Sequence, residues 1–98
     1  MNTVIGYVRT NNQYKDTKKQ RELITNYAKD NGLNVKLFED ANVSGLVVGE
    51  QLLHAINKAA AGDFFVVSEV SRISRDRTIT QKVINALNDK SVEIVYLH

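Results

Sequence analysis

The sequence predicts a three-layer α/β/α domain around a four-stranded, mostly parallel sheet. Short β-branched and aromatic runs alternate with longer polar segments whose apolar residues return every three or four positions. The connections are short, and Gly32 and Gly62 follow two of the helical stretches directly. Ninety-eight residues, 43% hydrophobic and 24% charged, describe one globular domain rather than a disordered chain. Strands that alternate with helices of this length pair in parallel, because each crossover returns the chain to the same end of the sheet.

Each element has its own signal. Thr3 to Val8 reads as the first strand. From Asp16 to about Asp30, Leu23, Ile24, Tyr27 and Ala28 recur at helical spacing, and Gly32 is the stop. Val35 to Phe38 makes a second strand that closes at Glu39 and Asp40. Ala41 to Gly49 is a loop, apolar for its kind at Leu46, Val47 and Val48. A second helix is expected from Glu50 to Ala61, with Leu52, Leu53, Ile56, Ala59 and Ala60 on one side. Phe64 to Val67 is apolar throughout, as in a strand covered on both faces. Ser68 to Arg77 is polar and basic. A third helix from about Thr78 to Asn88 turns Ile79, Val83, Ile84 and Leu87 inward, and Val92 to Leu97 is the fourth strand.

Composition excludes several classes. Without Cys there is no disulfide framework and no thiolate metal site, which fits a reducing compartment. The apolar runs are far shorter than the roughly 20 residues of a membrane span. Met1 to Arg9 lacks the basic start, apolar stretch and cleavage site of a secretory leader. A cytoplasmic protein is therefore expected, with no membrane association and no small-molecule substrate. His54 and His98 have no carboxylate or second His at ligand spacing, so neither a metal nor a cofactor is expected. Lys15, Lys18, Lys19, Arg21 and Lys29 make the first helix basic, read as a solvated face.

Open α/β sheets bind ligands outside the carboxyl ends of their strands. That rule selects Arg9 to Tyr14, Asp40 to Gly49 and Ser68 to Arg77. Tyr7 and Arg9 lie two apart on a strand and so share a face. An arginine there is costly to bury unless it meets an anion or a carboxylate. The plain reading pairs Arg9 with Asp40 of the next strand end. No glycine-rich phosphate loop follows, since Thr10-Asn11-Asn12-Gln13 fits neither GxGxxG nor a P-loop. The third place is more specific: Arg72, Arg75 and Arg77 are three of the chain's five arginines. Beside a helix start they make an anion site. A solvated basic turn with Asp76 as helix cap is the alternative. Asp40 could also suggest a phosphate-accepting receiver domain, but no acidic pair follows the first strand and no Lys ends a later one.

Gly6-Tyr7-Val8-Arg9, Gln20, Asp40, Ser44-Gly45 and Ser71-Arg72-Ile73-Ser74-Arg75-Asp76 together resemble the serine recombinase family, the resolvases, invertases and related transposases of mobile elements. The likeness runs over essentially the whole chain, in order and at compatible spacing. It implies the resolvase-like catalytic domain, in which a serine attacks a DNA phosphodiester to leave a phosphoserine link. Arginines stabilise the transition state there, without metal or cofactor. By that resemblance Arg9, Arg72 and Arg75 contact phosphate, and Tyr7 and Asp40 support them. DNA is the implied partner.

The sequence departs from the family at several positions. Asn11 occupies the nucleophile serine position, and its delocalised amide offers no oxyanion for in-line attack. With Ser44-Gly45 placed ungapped, Glu50 replaces a loop arginine and Ser71 an aspartate. Thr10, Ser68, Ser71 and Ser74 carry hydroxyls nearby, each needing a different attack geometry. Residues 1–98 are expected to form the catalytic domain without the family's C-terminal long helix and DNA-binding module. Apolar surface left open in this way would favour self-association or association with a full-length recombinase. The expected function is a site-specific recombinase catalytic domain that does not cleave DNA. The alternatives are a non-enzymatic interaction module that modulates an active recombinase, and a weak anion- or DNA-binding remnant.

Overall fold

The computed structural model describes residues 2–10, 14–41 and 48–97. Four strands, β1 (Thr3–Arg9), β2 (Asn34–Asp40), β3 (Phe64–Val67) and β4 (Glu93–Tyr96), form one sheet in the order β2-β1-β3-β4. Every pairing is parallel, with Thr3 opposite Asn34, Val4 opposite Phe64 and Phe64 opposite Glu93. Helix α1 (Tyr14–Asp30) covers one face; α2 (Glu50–Lys58) and α3 (Arg77–Asp89) cover the other. The sheet thus lies between two helical layers, as the alternating pattern predicts.

The period-two alternation of β1 explains the two cores. Val4 and Val8 point to α1, where they meet Ile24, Ala28 and Val66. Ile5 and Tyr7 point the other way, against Leu52, Ala55, Phe65, Val83 and Leu87. Gly6 lies on the α1 side, where a Cβ would sit 2.6 Å from Ile24 Cγ2 and 2.7 Å from Leu37 Cδ2. Its missing side chain lets α1 approach the sheet.

Element ends differ from expectation where distant groups intervene. β2 extends back to Asn34, and α1 begins at Tyr14. Helix α1 stops as expected, with Gly32 at φ +65° and the Leu33 amide donating to the Ala28 carbonyl. Helix α2, by contrast, ends at Lys58 and does not reach Ala61. The buried Asp63 carboxylate accepts the Ala60 amide at 2.9 Å and pulls the chain out of helix. Lys90 donates to the carbonyls of Ile56 and Asn57 at 2.6 and 3.3 Å, satisfying the last turn from α3's end. Helix α3 finishes without glycine: Ser91 itself takes φ 61°, and the Val92 amide donates to the Leu87 carbonyl. Within Ser68 to Arg77, Val70–Arg72 forms a single 3-10 turn, η1.

Candidate functional site

The pairing of β1 with β3 runs only as far as Gly6 opposite Val66, whereas its pairing with β2 continues to Arg9 opposite Asp40. Beyond Val66 the backbone of β1 needs other partners. Gln20 of α1 supplies them: its Oε1 accepts from the Arg9 amide at 3.3 Å and its Nε2 donates to the Arg9 carbonyl at 3.1 Å. Both Gln20 and Arg9 are almost fully buried. The side-chain amide completes the ladder where β3 turns away into η1.

The Arg9 guanidinium points into the same gap. Its Nε donates to the Arg72 carbonyl at 3.1 Å and Nη2 to the Ser71 carbonyl at 2.5 Å. Arg72 returns the contact, Nη1 donating to the Arg9 carbonyl at 3.4 Å. Two arginines 63 residues apart therefore hold each other's backbone. Burial is the largest influence lowering the Arg9 pKa; the Arg72 and Arg75 charges lower it further, while Tyr7 and Asp40 oppose them.

Asp40 does not take the expected pairing with Arg9. Its carboxylate accepts the Tyr7 hydroxyl at 2.7 Å and the Gln51 and Leu52 amides, each at 3.1 Å. The register predicts Arg9 beside Asp40 and is right; the helix start and the hydroxyl nevertheless compete better for the oxygens. Burial, and then the Asp40 bond, push the Tyr7 hydroxyl well above its ordinary pKa, so it remains a donor. Gly49 makes this possible. A Cβ there would overlap the Asp40 carboxylate and lie 3.0 Å from the Tyr7 hydroxyl. In the sequence Gly49 is only the last residue of the loop that begins at Ala41; the close approach that requires it has no local signal.

The other expected residues are graded by depth. Arg72 is partly buried and pairs with Glu69, Nε to Oε1 at 3.5 Å. Arg75 is exposed, and with Val70, Ser71, Ser74, Arg77 and Thr80 it lines an open cleft of about 500 Å³. Asp76 caps α3 as the alternative reading expects, accepting the Thr78 and Ile79 amides. Thr10, Ser68 and Ser74 are buried, at 4%, 5% and 5% exposure. Glu50, the first residue of α2, faces solvent. Asn11, Ser44, Gly45 and His98 lie outside the described residues. Among the described residues no group of three or more His, Asp or Glu could hold a metal ion. No described helix is long and apolar enough to cross a membrane.

The structure brings Tyr7, Arg9, Asp40 and Arg72 to the carboxyl edge of the sheet, with Arg75 at its rim. Such an edge can present positive charge to an anion without a metal. The family model for the resolvase N-terminal domain matches residues 4–98. Solved structures share the fold, and three of them illustrate the likeness. The C-terminal catalytic domain of ISC1926 TnpA, an IS607-like serine recombinase, gives a TM-score of 0.83 at 20% identity, covering 100% of this chain and 70% of that one. The corresponding domain of IS1535 TnpA, also IS607-like, gives 0.78 at 22%, covering 97% and 70%. The first open reading frame of transposon ISC1904 from Sulfolobus solfataricus gives 0.76 at 20%, covering 98% and 67%. No curated protein matches the sequence.

Proposed function

The chain belongs to the resolvase family through its N-terminal domain, and from that premise we propose a recombinase-type catalytic domain that holds a DNA phosphate without cleaving it. The observation that carries this reading is the convergence of Arg9, Arg72 and Arg75 at one sheet edge; in the sequence, Asn11 stands where the family resemblance implies the serine. Arg72 and Arg75 meet the phosphate, Arg9 adds positive field from beneath, and Tyr7 with Asp40 fixes the start of α2. Burial of Thr10, Ser68 and Ser74 argues against those three as substitute nucleophiles, while Ser71, half-buried and lining the cleft with Arg75, is the hydroxyl left for the adduct assay to test. Incubation with supercoiled plasmid, quenched in denaturant, yields no covalent protein–DNA adduct; an adduct overturns the reading. Asn11→Ser stays inactive, because Glu50 and Ser71 remain. A labelled duplex binds weakly, with affinity falling as salt rises, and Arg75→Ala lowers the salt slope by about one.

A second reading, a module that associates with a full-length recombinase, draws on exposed apolar groups. Leu53 on α2 and Val70 on η1 are 51% and 49% exposed. Light scattering and pull-down with a full-length relative test it, and a monomer at high concentration that captures nothing overturns it.

A further inference from the structure

Two carboxylates lie among the arginines that follow β3, and they are used differently. Asp76 turns into α3, its Oδ1 accepting the Thr78 and Ile79 amides at 2.8 and 3.4 Å. Glu69 flanks η1 but makes no side-chain cap bond there. Its Oε1 lies instead 3.5 Å from Arg72 Nε, across an i,i+3 spacing. The Glu69 side chain is 46% exposed and that of Arg72 21%. Among the contacts of the Arg72 guanidinium are the inner Arg9 carbonyl, 3.4 Å from Nη1, and the more exposed Glu69 carboxylate, which stands at ion-pair distance from a buried Nε without hydrogen-bonding it.

We propose that Glu69 is an internal competitor for the anion site. It pairs with Arg72 in the free protein and gives way when a phosphodiester arrives, so it sets the affinity of the site. The pair is weak enough to release, since partly exposed ion pairs contribute at most about 1 kcal/mol, equivalent to a factor of about five. A lone anion gains little by displacing a carboxylate of similar charge. A nucleic-acid backbone brings neighbouring phosphates that reach Arg75 and Arg77 in the same encounter. Glu69 therefore weakens single anions more than a polyanion, and it biases the site towards DNA. This rests on the reading that Arg72 faces the phosphate.

The test is a double-mutant cycle on binding of a fluorescein-labelled duplex at fixed ionic strength. Glu69→Gln tightens binding about two- to fivefold, and this gain disappears in the Arg72→Ala background. An equal gain with Arg72 already removed means a general charge effect and overturns the competitor role. No gain from Glu69→Gln, while Arg72→Ala still weakens binding, overturns the competitor and leaves the phosphate reading standing. Binding indifferent to Arg72→Ala overturns both. A second measurement needs no DNA: the Arg72 Nε–H resonance exchanges faster with water in Glu69→Gln. Unchanged exchange shows that the carboxylate does not cover that group, and the proposal fails.

Discussion

Asp40 closes β2 at the carboxyl edge of the sheet and Asp63 precedes β3 at the amino edge, and both are buried, at 5% and 8% exposure. Each carboxylate gathers backbone amides. Asp63 accepts from Thr3 and Ala60, each at 2.9 Å, and so joins the start of β1 to the turn before β3. Asp40 accepts from Gln51 and Leu52 at the start of α2, and also from the Tyr7 hydroxyl beside the Arg9 guanidinium. The backbone task is similar at both ends. Only at Asp40 does the carboxylate share its surroundings with a buried cation and two further arginines. A buried acid is thus no mark of a site; the charged company it keeps is.

The largest difference between the two ends is expected at Gly49. Gly49→Ala forces a methyl group into the Asp40 carboxylate, and a loss of about 3 kcal/mol or more is expected in urea denaturation. Gly6→Ala costs less: buried Ile24 resists the methyl group, but Leu37 is 39% exposed and can move outward, whereas the Asp40 carboxylate beside Gly49 is held by the Tyr7 hydroxyl and two amides. A smaller loss at Gly49 than at Gly6 would show that the Asp40 end is not tightly built.

Removing the acids themselves comes next. Asp63→Ala and Asp40→Ala each strand two buried or part-buried amides, for about 2–4 kcal/mol apiece. They differ in binding: Asp40→Ala alters duplex affinity at a temperature where both variants remain folded, and Asp63→Ala leaves it unchanged. Equal effects on binding would erase the distinction between the two ends.

Tyr7→Phe removes only the hydroxyl bond to Asp40, at a cost of about 1–2 kcal/mol at neutral pH. Its pH signature is specific. The folded-state pKa of Tyr7 lies above its ordinary value of 10.0. Above pH 10 the unfolded chain therefore releases a proton that the folded chain keeps. Stability falls as pH rises from there, by about 1.4 kcal/mol per unit. Denaturation above pH 10 should approach that slope in the parent and show a shallower one in Tyr7→Phe, where Tyr96, also raised by burial, keeps part of the dependence. The smallest effect is a gain. Ser91→Gly relieves the left-handed backbone after α3 and raises stability by about 1 kcal/mol, with no change in DNA binding.

Much of the fold was legible because its signals are local. Leu23, Ile24, Tyr27 and Ala28 carry the helical period within one segment, and three of them pack on the α1 face as that period requires. Gly32 ends α1 by its own backbone freedom. The end of α2 was not legible. Ala59, Ala60 and Ala61 continue a good helical pattern, and they are overruled by Asp63 and by Lys90, 34 residues from Ile56. In the site, Tyr7, Arg9, Asp40, Arg72 and Arg75 could be named from strand ends and motif. The part played by Gly49 could not be, since it rests on an approach between β2 and α2 that no short stretch encodes.

The order of elements, the main faces they bury and the sheet edge that gathers arginines are all written in contiguous stretches of chain, because periodicity and strand direction are local properties. The bonding partners at that edge are settled only by packing. Arg9 goes to the carbonyls of η1, Asp40 to Tyr7 and the amides of α2, and Gln20 to the backbone of β1. Each buried donor or acceptor must find a partner, and several candidates of similar strength compete for it. Which one wins depends on ångström-scale placement of groups up to 63 residues apart, and that placement exists only once the layers have packed.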